Sequence, residues 1–205
     1  MPAPDRCGKM DRKDMGRGAK PLGAWPLLPF FLIRFGLMAL LDRQAVGRAA
    51  HFAPMYGGER AAYWVYQLSN IAILLLVLAS RIRTGPSPLL FSGLAVYGGG
   101  LALLALSAAA FAAPAEQGVR RRGVYRFSRN PMYMAYFLCF LGCALLVQLP
   151  LLAVLVLVFQ ASAHWVILAE ERWCAGQFGE AYLQYKKSVR RYWGPPAKFP
   201  PEEST

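Results

Sequence analysis

Two polar clusters interrupt the apolar C-terminal half of the chain and carry the residues that could do chemistry. The first is the segment 123–133, which reads GVYRFSRNPMY, and the second is the pair Glu170 and Glu171. Adjacent carboxylates at the end of a long apolar stretch are costly to hold near hydrocarbon unless cations or hydrogen-bond donors meet them. Arg126 and Arg129 are the natural partners, so the sequence predicts that the two clusters meet.

The same residues permit a second interpretation, in which arginine and glutamate only mark the interfacial ends of spanning helices. Residues 130–169, which separate the clusters, contain no Asp, Glu, Lys or Arg. Pro150 divides this stretch and predicts a turn between two antiparallel helices. Either interpretation therefore places both clusters at one membrane face.

The elements that position these clusters are apolar runs. The chain has 205 residues, of which 56% are hydrophobic and 17% charged, against about 45–50% and about 25% in soluble domains. Residues 61–80 and 84–115 contain no charged side chain. Each run could cross the hydrocarbon core, which takes about 20 helical residues. The sequence thus predicts an all-α integral membrane bundle.

The predicted bundle has about five transmembrane helices. They cover residues 24–41, 61–80, 88–113, 132–147 and 150–169. An amphipathic interfacial helix follows them, because Phe178, Tyr182, Tyr185 and Val189 recur at helical spacing. Arg34 lies inside the first span, where an arginine usually faces the bundle or snorkels and less often has a functional role.

The chain divides into three parts of one membrane domain. They are a polar tail (1–23), three transmembrane helices (24–113), and a part made of the arginine-rich loop, a helical hairpin and a cytosolic C-terminal helix (114–205). With the N-terminus outside, 14 basic residues face the cytosol and 8 face outward, Arg34 excluded. The positive-inside rule favours this orientation. The sequence thus predicts a multi-pass protein of the bacterial inner membrane or endoplasmic reticulum, with both polar clusters at the cytosolic face.

The charge and the cysteines exclude two other classes of site. The formal net charge is +12, but the basic residues lie in connections between apolar runs, which argues against a nucleic-acid surface. Cys139 and Cys143 lie inside an apolar run, where small packing residues are usual. Cys7 and Cys174 have no CxxC partner, so no metal site is expected.

The amino-acid sequence of the two clusters and of the segment after them resembles the isoprenylcysteine carboxyl methyltransferase and phospholipid methyltransferase families. In these families a GPYRxxRHPMYxG segment precedes a helical hairpin, and EExxLxxxFGxEYxxYxxxVPRxxP follows it. The resemblance covers about residues 93–195. This sequence departs from it at Asn130, where the families have histidine, and at Val124 and Ala135, where they have proline and glycine. Asparagine cannot shuttle a proton near neutral pH.

The resemblance implies an S-adenosylmethionine-dependent methyltransferase with no metal, whose cofactor enters from the cytosol and whose lipid-like acceptor enters from the bilayer. The implied catalytic residues are Arg129, Asn130 and Glu171. The implied cofactor-binding residues are Gly98, Gly100, Tyr125, Asn130, Pro131, Tyr133, Glu170 and Glu171. Glycines in a spanning helix also admit close helix packing, which stays an alternative for Gly98 and Gly100.

The acceptor is the least determined part of this prediction. A carboxylate, as on a prenylated cysteine, is already ionised, and Asn130 favours it because no base is needed. An ammonium acceptor, as on phosphatidylethanolamine, must first lose a proton. An NADPH-dependent sterol-type membrane reductase is a further alternative, against which the pair Glu170 and Glu171 argues. A scaffold without activity is another. Carboxylate O-methylation is the leading hypothesis.

Overall fold

The computed structural model describes residues 23–50, 52–115, 118–197 and 199 of the chain. The predicted tail 1–23 lies outside the described residues except for Gly23. Six helices run in chain order through the described part. They are α1 (Ala24–Leu41), α2 (Arg43–Ala50), α3 (Gly58–Ala79), α4 (Pro88–Ala112), α5 (Pro131–Val147) and α6 (Pro150–Ser188).

The predicted helical membrane bundle is confirmed. α1, α3, α4 and α6 are long and apolar enough to cross a membrane, while α5 is a shorter apolar helix. The predicted span boundaries agree with the observed ones to within three residues, except at the end of α6. The core between the helices is apolar, and Ile73, Leu104, Phe140 and Phe159 are among its fully buried side chains.

α1 contains a π-helical section, Leu32–Leu37, that includes Arg34. The Arg34 guanidinium lies 5.5 Å from the ring centroid of Tyr136 in α5, and Arg34 Nη1 donates to Met38 Sδ at 3.7 Å. The side chain thus faces the bundle, as a charge inside a span must. It reaches the wall of the cavity described below.

α4 and α5 pack with their backbones in close approach, which glycine permits. A Cβ added at Gly100 would lie 2.7 Å from Cys139 N, and one at Gly142 would lie 2.7 Å from Tyr97 Cα. Gly98 is exposed, and no atom lies within 4 Å of a Cβ built there. In this structure Gly100 therefore serves the helix packing that the sequence left as an alternative.

α6 continues beyond the predicted span to Ser188, but Gly179, with φ 51° and ψ −131°, divides it into two helical parts. At about 1.5 Å per residue the first part, 150–178, is roughly 44 Å long and extends past the hydrocarbon core. Tyr182 and Tyr185, predicted to face the membrane surface, are buried against Val119 and Ala197. The apolar face of this segment covers the protein's own loops instead of lipid.

The segments that connect the helices lie at the two ends of the bundle. At one end, Gly23 N donates to Ser80 O at 3.2 Å and Arg83 N donates to Leu146 O at 3.1 Å. At the other end, Arg172 Nη1 donates to Glu59 Oε1 at 2.6 Å. The α2–α3 connection, the 113–130 loop and the C-terminal part of α6 therefore share the second end.

The orientation of these two ends stays a prediction that cysteine labelling can test. In a Cys7→Ser background, Arg122→Cys should react with a membrane-impermeant maleimide only from the cytosolic side, because the positive-inside rule places the arginine-rich loop there. Arg122 is exposed, and exposed Arg83 at the opposite end supplies the matched cysteine. Labelling of position 122 from outside, with position 83 protected, would reverse the orientation.

Candidate active site

A cavity of about 380 Å³ lies at the bundle end where the 113–130 loop meets α6. Its volume falls within the range of about 300–1,000 Å³ that is usual for small-molecule sites. All six described helices line it, and α4 contributes Phe111 from its last turn. The cavity therefore belongs to the assembled bundle and to no single segment.

Most of the predicted site residues meet at this cavity. Those that line it are Tyr125, Arg129, Asn130, Pro131, Tyr133, Glu170 and Glu171. Gly98 and Gly100 do not line it. The cofactor-binding role predicted for these two glycines has no geometric support in this cavity and stays a prediction.

The loop before α5 is held in place by the segment that follows α6. Gly123 has φ 58°, a conformation that side chains disfavour, and it opens a 3₁₀ turn ending at Arg126. Ala197 N donates to Arg126 O at 2.9 Å, and Gly194 N donates to Phe127 O at 2.9 Å. The C-terminal segment thus adds backbone hydrogen bonds along the loop, and Pro131 starts α5 directly after it.

Glu171 lies at the centre of a buried charge cluster. Its side chain is 3% exposed. Arg129 donates to it from Nη2 at 2.9 and 3.1 Å and from Nε at 3.2 Å. Arg191 donates from Nη2 at 3.0 Å and from Nε at 3.1 Å. These hydrogen bonds to the carboxylate raise the pKa of Arg191. One carboxylate therefore ties the loop, α6 and the C-terminal segment together.

Arg129 has no N–H donor left for a ligand in this arrangement. Its Nη1 donates to Lys186 O at 2.8 Å and to Val189 O at 2.6 Å, in addition to the bonds with Glu171. A guanidinium offers five donors in a fixed fork, and protein atoms accept from all three of its nitrogens. The geometry favours a positioning role for Arg129 and Glu171, while their predicted catalytic role stays a prediction.

Asn130 belongs to the same cluster. Its Nδ2 donates to Glu171 Oε1 at 3.2 Å and to Arg191 O at 3.2 Å. Its backbone N–H donates to Ser128 Oγ at 3.1 Å. The amide therefore uses both donors on the protein, and only its carbonyl oxygen has no partner among the described residues.

Glu170 accepts far fewer hydrogen bonds from the described residues than its neighbour Glu171 does. Tyr133 Oη donates to Glu170 Oε1 at 2.7 Å, and among the described residues no other hydrogen bond reaches this half-buried carboxylate. Tyrosine rings surround that part of the cavity, with centroids 6.1 Å apart for Tyr66 and Tyr133 and 6.3 Å apart for Tyr133 and Tyr136. The second carboxylate oxygen is thus available to a ligand.

Several cavity residues carry no signal in the sequence. Tyr66 comes from α3, outside both clusters, and nothing in its neighbourhood distinguishes it from other aromatic residues of a span. Tyr125, by contrast, was predicted from the sequence. The structure buries its phenol, and this burial raises the pKa of Tyr125. Arg120 also lines the cavity. In the sequence, the run of three arginines at 120–122 indicates only the membrane orientation and does not show which side chain turns inward.

Comparison with known proteins agrees with this geometry. A family model described as phospholipid methyltransferase matches residues 91–181, which include most of α4, the loop, α5 and α6 through Glu170 and Glu171. No curated protein and no solved structure gives a significant match to the chain. The family-model match confirms the resemblance seen in the two clusters: in this integral-membrane chain, residues 91–181 are similar to the phospholipid methyltransferase family.

Proposed function

We propose that the protein is an S-adenosylmethionine-dependent methyltransferase whose active site is the cavity beside Glu170, facing the cytosol. The observation that carries the proposal is the convergence of both motif clusters on one cavity of suitable size. The family match supports methyl transfer to a lipid over the reductase alternative.

The residues of the cavity fit this cofactor. S-adenosylmethionine supplies a methyl group on a positively charged sulfonium and carries an ammonium group as well. Glu170 offers one carboxylate oxygen that has no partner within the described part of the chain, and Tyr133 and Tyr136 present aromatic rings beside it. Carboxylates and aromatic faces both attract cations, most strongly where water is excluded. Glu170 therefore binds the cationic part of the donor.

Methyl transfer requires alignment and exclusion of water more than proton chemistry. The Glu171 cluster holds the loop rigid, so Tyr125 and Tyr133 keep fixed positions in the wall. The apolar and aromatic lining excludes water. These residues thus orient donor and acceptor for an in-line displacement.

The leading acceptor is a carboxylate, as on a prenylated cysteine. S-adenosylmethionine would supply the methyl group, and the ionised carboxylate oxygen would accept it to give a methyl ester without loss of a proton. Guanidinium groups in the cavity wall can orient such a group. Asn130 fits this reaction because no base is needed.

A phospholipid amine is a second candidate, which Glu170 specifically favours. An ammonium acceptor must lose a proton before it attacks, and Asn130 cannot take that proton. Glu170 lies in the cavity with a single hydrogen bond and can accept it. The family match to phospholipid methyltransferases adds weight to this candidate.

Direct binding and labelling test the proposed function. The purified protein should bind S-adenosylmethionine and not NADPH in nanodiscs. Incubation with methyl-labelled donor should label one member of a panel containing prenylcysteine analogues, phosphatidylethanolamine and small thiols. Labelled prenylcysteine supports the carboxylate candidate, and labelled phosphatidylethanolamine supports the amine. Binding of NADPH alone would refute the methyltransferase, and binding of neither would favour an inactive scaffold.

Asn130→His tests whether position 130 needs a base. We expect activity within about tenfold of the native rate and no new titration near the unperturbed histidine pKa of about 6.5, because the amide at this position only donates to Glu171 and a backbone carbonyl. A pH–rate profile of both proteins provides the measurement. A faster variant whose rate rises through that pKa would show that a proton acceptor was missing.

A further inference from the structure

Arg120 enters the cavity wall in a fixed orientation. Its Nε donates to Phe111 O at 2.7 Å, and its guanidinium carbon lies 4.0 Å from the centroid of the Phe111 ring. The hydrogen bond and the stacking hold the plane of the group against the end of α4. Its two terminal nitrogens donate to no acceptor among the described residues, so their N–H groups are left for other contacts.

Arg120 also differs from Arg48, Arg129 and Arg191 in its charge balance. Arg48 pairs with Asp42 at 2.6 Å, and Arg129 and Arg191 share Glu171. Within the described part of the chain, no carboxylate lies at salt-bridge distance from Arg120. Burial, followed by a smaller effect of neighbouring Arg48, lowers the pKa of Arg120.

A half-buried cation without a counter-charge is costly, and an anionic ligand group offsets that cost. A planar guanidinium with two free terminal nitrogens matches the paired oxygens of a phosphate or a carboxylate. Arg120 lines the same cavity as Glu170. The cavity thus offers a carboxylate for a cation and a guanidinium for an anion.

We propose that Arg120, with Arg48 beside it, is the anion subsite that holds the negatively charged group of the methyl acceptor. The inference rests on the proposed function in one respect, namely that the occupant is the acceptor. The two candidate acceptors share one chemical feature, a pair of anionic oxygens next to an apolar chain. Its two possible sources are the phosphodiester of a phospholipid and the carboxylate of a prenylated cysteine.

Binding measured without the methyl donor tests the subsite. The probes are dihexanoyl-phosphatidylethanolamine against dihexanoylglycerol, and N-acetyl-farnesylcysteine against its methyl ester. The native protein should bind one probe that carries the anionic group at least about tenfold tighter than its counterpart without that group, and Arg120→Gln should lose that preference, as expected for a charge-assisted hydrogen bond. Preference for the phosphodiester or for the carboxylate identifies the source.

The matched control is Arg122→Gln, which removes the same charge from an exposed position of the same loop and should keep the preference. Arg120→Lys keeps the charge without the planar donor pair, so it should show an intermediate preference. This variant carries the test if Arg120→Gln does not fold. Equal losses in the 120 and 122 variants, or no preference in the native protein, would overturn the subsite.

Separate titration of S-adenosylmethionine distinguishes this inference from the proposed function. Arg120→Gln should bind the donor as the native protein does. Weaker donor binding in that variant, with the acceptor preference retained, would assign Arg120 to the donor and overturn the subsite. A native protein that binds no donor but shows the Arg120-dependent preference would refute the methyltransferase and leave the subsite standing.

Discussion

Glu171→Gln is expected to destabilise the protein by about 3–5 kcal/mol, which is typical when one partner of a buried ion pair is removed. Glutamine keeps the shape of the side chain but leaves Arg129 and Arg191 without their counter-charge, and the Arg129 side chain is only 7% exposed. Thermal unfolding in detergent should show an apparent Tm lower by roughly 10 °C. Methyl transfer should fall as well, because the loop that carries Tyr125 and Asn130 loses its anchor.

Glu180→Gln is the matched control, since it removes the same charge from an exposed position on the same helix. Its effect should stay within about 0.5 kcal/mol, as for most surface substitutions. Adding Arg191→Gln to Glu171→Gln should recover part of the lost stability, because one uncompensated cation disappears. Equal stability of the Glu171 and Glu180 variants would contradict the structural role of the cluster.

The spans were predictable because the bilayer imposes a simple length and polarity rule on the sequence. The helix after residue 169 was predicted as well, but its burial against the protein's own loops was not predictable on that basis. Tyr182 and Tyr185 recur at helical spacing whether the face they form meets lipid or protein. Their burial against Val119 and Ala197 depends on the fold of two distant loops, which periodicity within α6 does not report.

The meeting of the two clusters was predictable from the cost of a buried carboxylate, but the division of roles between the two glutamates was not. Successive residues of a helix point about 100° apart. Glu171 therefore faces Arg129 and Arg191, while Glu170 faces Tyr133 and the cavity. Adjacent identical residues have no feature in the sequence that shows which of them is already paired.

Glu170→Gln is expected to weaken binding of S-adenosylmethionine by about 10- to 100-fold, the range of a lost charge-assisted hydrogen bond. The variant keeps an oxygen that can accept from Tyr133 Oη, so the local fold should survive. What disappears is the negative charge beside the rings of Tyr66 and Tyr133. Isothermal titration with the donor, together with thermal unfolding of the same sample, measures both effects.

The contrast between the two glutamates makes this test decisive. Glu170→Gln should lose donor binding while keeping the native Tm, whereas Glu171→Gln should lose stability first, because its carboxylate is occupied by Arg129 and Arg191. Unchanged donor affinity with a reduced rate would move Glu170 from donor binding to proton removal and favour the amine acceptor. Unchanged affinity and unchanged rate would remove Glu170 from the active site, because no ligand could then depend on its free oxygen.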